Sequence, residues 1–435
     1  MVEKEFWNKK METMPLEEMR TLQFKKFREI FKYAYHNNQF YRRKFEKAGV
    51  KPDQIKSFKD ISKIPVLTKE ELREAYPFGL IIPPPDKWVE LHSSSGTTGK
   101  PVVNVYTKKD IEVWKEDMAR NLWAGGLRPG DRLQNAYGLG LFTGGFGFAY
   151  GAQKIGALMI PTSSGNTKRQ IRLALDFGST ALAATPSYGL YLAEKASEMG
   201  YDTRKDFKFK VGFFGAEAWS EEMRERLEYV WGDGFQARES YGLTEVGGPG
   251  TSFDCQYKNG LHINADHFLV ECVDKDMNPV APGEKGELVI TTLEREGFPA
   301  IRFRTKDISY LMEEKCECGR TLYRHARIMG RTDDMMKVKG VIVFPKQIEE
   351  AVLAVDGVSE NYLIEKYKSG VMTSLRVKVE PTQARFEKGK LEALAKEIQE
   401  EIMNIVGLRL EVQIVEPGSL PRSEGKAKRV VDLTQ

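Results

Sequence analysis

Ala181-Leu182-Ala183-Ala184 is a short apolar run that gives way to a helix-forming stretch over about 187–198. The arrangement recurs at Val211-Gly212-Phe213-Phe214, followed by a helix-forming stretch over about 219–230. Ser220, with Glu221 and Glu222 after it, marks the start of the second helix, because a hydroxyl can cap free N–H groups and acidic groups favour a helix's positive end. Short apolar runs alternating with helical stretches extend from about 90 to 310. Such alternation predicts an α/β fold of parallel sheets covered by helices, with ligands at the loops leaving the strands.

Upstream of this region, Met19, Leu22, Phe27, Ile30, Phe31 and Ala34 recur mostly at three- and four-residue intervals, which predicts a helix with His36 on the surface near its end. Pro65, Pro77 and Pro83-Pro84-Pro85 then break the chain into turns and extended pieces. Downstream, Gly286-Glu287-Leu288-Val289-Ile290-Thr291-Thr292 and Ala300-Ile301-Arg302-Phe303 predict a β-rich section over about 286–312. The composition changes near 330, and we expect a large domain over 1–331 and a small α+β domain over 332–435. The small domain is predicted to hold a helix at about 346–354, strands, and a helix carrying Leu391, Leu394, Ile398, Ile402 and Ile405, closed by Gly407. Met335 and Met336 are expected to pack in its core.

The 435 residues include 66 Lys+Arg against 62 Asp+Glu, for a net charge of +4 and no dense basic block. That balance excludes the electrostatic footprint of a nucleic-acid binder. No apolar run reaches about 18 residues, so no membrane span is expected. Met1-Val2-Glu3-Lys4-Glu5 lacks the apolar core of a secretory signal, so the expected location is cytoplasmic. Four cysteines are too few for a disulfide scaffold, and Cys316-Glu317-Cys318 has a metal-binding more than a disulfide spacing.

Five motifs carry chemistry. Ser93-Ser94-Ser95-Gly96-Thr97-Thr98-Gly99-Lys100-Pro101 packs hydroxyls and glycines as a polyphosphate-wrapping loop requires, although its spacing is not that of a Walker loop. Ser240-Tyr241-Gly242-Leu243-Thr244-Glu245 offers a carboxylate for Mg²⁺, a hydroxyl for phosphate and a ring for a base. In Arg302-Phe303-Arg304-Thr305-Lys306-Asp307, an Asp at a strand end can accept both ribose hydroxyls. Gly330-Arg331-Thr332-Asp333-Asp334-Met335-Met336-Lys337-Val338-Lys339-Gly340 and Leu420-Pro421-Arg422-Ser423-Glu424-Gly425-Lys426-Ala427-Lys428-Arg429 complete the set. Taken singly, each also reads as a turn or a solvated charged face.

In this order the five resemble the adenylate-forming superfamily of acyl- and aryl-CoA synthetases, luciferases and peptide-synthetase adenylation domains. The closer resemblance is to the phenylacetate–CoA ligase family. It is carried by Phe40-Tyr41-Arg42-Arg43, Tyr76-Pro77-Phe78-Gly79, the Ser-rich phosphate loop, Gly260-Leu261-His262 and Cys316-Glu317-Cys318-Gly319-Arg320-Thr321. Phe303 stands where the family commonly has Tyr, and Lys306 where it has Gly or Arg.

The resemblance implies that a carboxylate attacks the α-phosphate of ATP, giving an acyl-adenylate and pyrophosphate, and that the thiol of coenzyme A then displaces AMP. It implies Lys426 as the adenylation lysine, Glu245 as the Mg²⁺ ligand, and Thr244 with Ser93, Ser94, Ser95, Gly96, Thr97, Thr98, Gly99 and Lys100 at the phosphates. Asp307 and Arg331 would grip the ribose, and Gly215, Ala216, Glu217, Tyr241 and Gly242 would line the nucleotide. Asp333 would be the hinge about which the small domain turns, bringing Lys337 to the site for the thiol step. Tyr137, Phe142, Gly144 and Phe146 lie in the stretch where the family places its aryl pocket. An aromatic acid is therefore expected, phenylacetate first, with indoleacetate, benzoate or aminobenzoate, or loading of a carrier protein, as alternatives. A zinc-stabilised binding protein without catalysis is the reading from another class. The resemblance extends to a homodimer.

Cys255, His262, Cys316 and Cys318 could form a Cys₃His site for structural Zn²⁺, and similar sets occur in the family. Cys272 alternates with Phe268 and Val270 on one strand face and is expected in the core; His267 and His325 are expected at ordinary polar positions. His92 could contact substrate or pack against a strand.

Overall fold

The computed structural model describes residues 5–94, 100–338, 341–369 and 372–434. Ser95, Gly96, Thr97, Thr98 and Gly99 of the phosphate loop, with Lys339 and Gly340 of the fourth motif, lie outside the described residues.

Among the described residues the largest sheet has nine strands, and one half of it is parallel. There Leu158–Ile160, Arg132–Asn135, Ala181–Ala184, Val211–Phe214 and Gln236–Leu243 lie side by side. Alternate residues point to opposite faces of a strand. Leu182, Ala184 and Phe214 accordingly enter one core with residues of the helices Pro186–Glu198 and Glu221–Trp231. Ala181, Ala183, Val211 and Phe213 enter a second core, with the helices Lys108–Gly125 and Thr143–Ile155. The second helix starts at Ser220 as its sequence predicts, and the first has a comparable start. Thr185 and Ser220 accept the N–H groups of Tyr188 and Met223, and Pro186 occupies a first-turn position where its missing N–H costs nothing.

The alternation predicted up to 310 fails after Leu243. A parallel crossover takes about a dozen residues or more, whereas only the turn Thr244–Gly247 separates Gln236–Leu243 from Gly248–Phe253. Gly247 and Gly248, at φ 107° and 100°, reverse the chain, and the strands pair antiparallel. Leu261–Ile263, Arg324–His325 and Leu311–Met312 extend the sheet in the same antiparallel way.

A separate antiparallel sheet contains Phe268–Val273, Gly286–Thr292, Phe303–Ser309 and Gly330–Arg331. The strand predicted from Ala300 begins only at Phe303. Arg302 sits at φ 50°, outside strand geometry, and its buried guanidinium donates to the Ser62 and Ile64 carbonyls and pairs with Glu271.

Beyond Asp333, the hairpin of Val358–Ser369 and Met372–Pro381 is flanked by Glu411–Ile414 and Val430–Asp432. The helices Pro345–Leu353 and Leu391–Val406 cover it, burying Leu394, Ile398 and Ile402, and Gly407 ends the second at φ 72°. Met336 joins this core, but Met335 is exposed, because it precedes the strand Met336–Val338 whose alternation directs Met336 inward. His36 is exposed, as expected. Among the described residues no helix is long and apolar enough to cross a membrane.

Candidate active site

Three parallel strands, Ala181–Ala184, Val211–Phe214 and Gln236–Leu243, end side by side. The loops that leave them carry Thr185-Pro186-Ser187, Gly215-Ala216-Glu217 and Thr244-Glu245. The fit is close: a Cβ on Gly215 would run into the Ser240 carbonyl oxygen, and one on Gly242 into that of Gly248. Ala216 is held at φ 68°, a left-handed conformation that costs a non-glycine residue about 1–2 kcal/mol. Local strain of this kind persists only where the surroundings over-determine it.

Asp307 lies beside this edge, in register with Arg331 on the neighbouring strand. Tyr241 Oη donates to Asp307 Oδ2 at 2.7 Å, and Arg331 Nη1 donates to Oδ1 at 2.7 Å. Burial raises the Asp307 carboxyl to about 6, against the pull of Arg331. Arg331 also donates through Nε to Asp333 at 3.0 Å, so Asp307, Arg331 and the expected hinge residue are joined in one network. Lys306 stands at φ 65°, a left-handed conformation that glycine adopts more readily than lysine.

Lys426 approaches from the far end of the chain. Its ammonium lies 5.5 Å from the centre of the Phe142 ring. The residue is exposed, and desolvation lowers its pKa against the opposing pull of Glu217 and Glu245. Glu217 itself is raised by burial, although it accepts the Ala427 N–H and the Ser187 hydroxyl. Lys337 is also exposed, on its strand and away from the core side taken by Met336 and Val338.

Glu245 is buried, and its Oε1 meets Lys69 Nζ at 2.8 Å. The sequence reading missed Lys69: it sits at the first turn of the helix Lys69–Glu74, where a lone lysine carries no motif. Thr244 faces Thr143 Oγ1 at 3.4 Å, and its carbonyl accepts Asn104 Nδ2 at 2.7 Å. Of the described phosphate-loop residues, Ser93 N donates to Leu141 O, Ser94 N to Val102 O, and Lys100 lies over the Tyr76 ring.

The expected acid-pocket residues divide between two surroundings. Tyr137 is buried, stacks on Phe148 at 5.0 Å, and lies 6.4 Å from Phe142, which faces Lys426. Gly144 packs so close to Phe142 that a Cβ would strike its ring. Phe146 instead packs edge-on against His92 at 5.0 Å. His92 is buried: Nδ1 donates to the Leu141 carbonyl at 3.2 Å, and Nε2 meets Glu90 at 2.6 Å. That resolves His92 as a packing residue that ties the phosphate-loop strand to the segment entering the helix Thr143–Ile155.

The four ligand atoms of Cys255, His262, Cys316 and Cys318 all lie within 4.8 Å of one another, and all four residues are buried. Tetrahedral Zn–S bonds of about 2.3 Å put neighbouring sulfurs about 3.8 Å apart. Cys255 Sγ and Cys316 Sγ are 3.7 Å apart, and Cys318 Sγ is 3.3 Å from His262 Nε2. His262 Nδ1 donates to the Leu322 carbonyl at 3.1 Å, which leaves Nε2 free to ligate. Hydrogen bonding from the Cys255 thiol, helped by His262, holds the Cys318 thiol far below the usual thiol range. The residues fit a zinc ion. Cys272 is in the core, as expected. His267 and His325 are buried rather than merely polar: His267 pairs with Asp117 at 2.7 Å, and burial lowers His325 to about 4.

Residues 41–293 match the family model described as "AMP-binding enzyme", and residues 340–434 match "AMP-binding enzyme C-terminal domain". The phenylacetate-coenzyme A ligase of Escherichia coli (strain K12) is 42% identical over 427 residues, covering 97% of this chain and 97% of its own. That of Aromatoleum evansii is 43% identical over 423 residues, covering 96% and 94%. In three dimensions the chain resembles 2-hydroxyisobutyryl-CoA ligase in the postadenylation state with R3-HIB-AMP, at a TM-score of 0.94 and 29% identity over 99% of this chain and 93% of that one. Against the same enzyme with 2-HIB-AMP and CoA in the thioesterification state the TM-score is 0.75, so this chain is more similar to that enzyme's postadenylation arrangement. The chain belongs to the AMP-binding enzyme family and, within it, to the phenylacetate–coenzyme A ligases.

Proposed function

We propose that the protein is an ATP-dependent aryl-carboxylate–CoA ligase that works through an acyl-adenylate, with phenylacetate as the first substrate to test. The observation that carries this reading is the placement of Lys426 over Phe142 and within electrostatic reach of Glu217 and Glu245, at the meeting of the acid pocket and the phosphate region. The first step joins two anions, so a cation at that meeting point lowers the barrier where charge accumulates. Asp307, with Arg331 beside it, would take the ribose, Tyr241 and Gly242 the base. Glu245, which already faces a cation in Lys69, would hold Mg²⁺ in Lewis-acid contact with the phosphates. Residues 1–331 would bind ATP and acid, and 332–435 would turn about Asp333 to bring Lys337 in for the thiol step. A homodimer rests on the family resemblance.

Pyrophosphate release should be followed with phenylacetate, indoleacetate, benzoate, aminobenzoate and 2-hydroxyisobutyrate, with and without coenzyme A. Turnover with phenylacetate and appearance of its thioester is the expected result. Adenylate without thioester points to a carrier-loading enzyme, and no turnover with any acid to a binding protein.

The Cys₃His cluster would hold a structural Zn²⁺, since all four positions are supplied by protein and none is left open. Metal analysis should find about one Zn²⁺ per chain, lost from the Cys316→Ser/Cys318→Ser double variant and retained in Cys272→Ala. Full zinc content in the double variant rejects the site.

A further inference from the structure

The backbone on both sides of Lys426 is held by side chains from distant parts of the chain. Before it, the Gly425 carbonyl accepts the Thr185 hydroxyl at 2.9 Å and faces the Ser187 hydroxyl at 3.4 Å. After it, the Ala427 N–H donates to Glu217 Oε1. Ser187 ties the two points together, because its hydroxyl also donates to the Glu217 carboxylate at 2.8 Å. Thr167 adds a third contact, donating to Glu424 Oε1 at 2.8 Å. A hydroxyl has one proton to give. Thr185 gives its proton to Gly425, and it caps the helix Pro186–Glu198 only as an acceptor, from Tyr188 N.

We propose that Thr185, Ser187 and Glu217 form a two-point grip on residues 425 and 427 that aims the Lys426 side chain into the cleft, and that Thr185 and Ser187 are positioning residues for adenylation alone. The inference rests on the reading of Lys426 given above. Pinning the carbonyl before a residue and the amide after it fixes the direction of the side chain between them. Rate falls steeply when a reacting group is misplaced by even an ångström. The grip joins residues on opposite sides of Asp333, so a small domain turned away for the thiol step carries Gly425 and Ala427 out of it. It can therefore serve only the first half-reaction.

Adenylation is read by ATP–pyrophosphate exchange with phenylacetate, and the thiol step by thioester formation from synthetic phenylacetyl-adenylate and coenzyme A. Ser187→Ala and Thr185→Val should each slow exchange about tenfold at saturating substrates. KM for ATP and acid should stay within about twofold, and the thiol step near wild type. Thr185→Ser, which keeps both the donor and the helix cap, should restore exchange. Tryptic nicking after Lys426 supplies a readout that needs no turnover, and it should quicken in Ser187→Ala and Thr185→Val. Unchanged exchange, a parallel loss in both half-reactions, or unchanged nicking overturns the grip. Wild-type protein that exchanges with no acid overturns the functional reading instead, and the nicking result then decides the grip.

Discussion

Lys426→Ala should lower ATP–pyrophosphate exchange by at least about 100-fold, or 2.7 kcal/mol of barrier, while the protein stays folded. Two like charges about 4 Å apart cost about 4 kcal/mol at an effective dielectric of 20, and the attacking carboxylate and the α-phosphate must come closer than that. On the proposed assignment the ammonium of Lys426, over Phe142 and in the field of Glu217 and Glu245, would offset this repulsion. Its charge comes at a cost: desolvation pulls its pKa down, and the two carboxylates keep it up. Removing the side chain leaves the grip on Gly425 and Ala427 in place, because those contacts are made by backbone atoms. The melting temperature should accordingly move by no more than about 2 °C. Thioester formation from supplied phenylacetyl-adenylate should survive, since the anhydride bond between carboxylate and α-phosphate is already made and the thiol only displaces AMP from it. Exchange within about tenfold of wild type would remove Lys426 from the adenylation step.

What could be read from the sequence follows from how local the determinants are. The strand–helix units at 181–198 and 211–231 were legible because apolar runs, helix-forming stretches and, in the second, the Ser220 cap are written within a few residues of one another. The antiparallel half of the large sheet was also signalled locally, by Gly247-Gly248, but as a break in an alternation it went unread. The family resemblance singled out Asp307 and Arg331, which face each other across two strands. Cysteine and histidine are rare enough in the chain for the metal cluster to stand out by elimination. Thr185, Ser187 and Lys69 were invisible for the opposite reason. Thr185 reads as a helix cap, which it is, and its second bond reaches a partner 240 residues away. Left-handed positions show in a sequence when glycine fills them. At Ala216, Arg302 and Lys306 they do not, and only the backbone reveals them.

Asp333→Pro should separate the two half-reactions, with one falling by at least about 100-fold and the other staying close to wild type. Proline fixes φ near about −65° and restricts the residue before it, here Thr332. A pivot that must change its backbone angles between states is thereby confined to one of them. The overall arrangement is more similar to the relative's postadenylation state than to its thioesterification state, and Lys426 lies beside the Phe142 ring. A variant locked near this arrangement keeps exchange and loses thioester formation; one locked in the other arrangement shows the reverse. The substitution also deletes a carboxylate that pairs with Arg331 at 3.0 Å, and Arg331 in turn holds Asp307 at 2.7 Å. Asp333→Ala controls for that: it removes the ion pair but leaves φ free, so it should affect ATP binding modestly and both half-reactions alike. Exposed pairs of this kind are worth about 0–1 kcal/mol, far less than the loss expected from a frozen hinge. If Asp333→Pro and Asp333→Ala behave alike, the carboxylate matters and the pivot lies elsewhere. If Asp333→Pro leaves both half-reactions at wild-type rates, no large rotation about this residue is needed, and Lys337 must reach the site by another route or take no part.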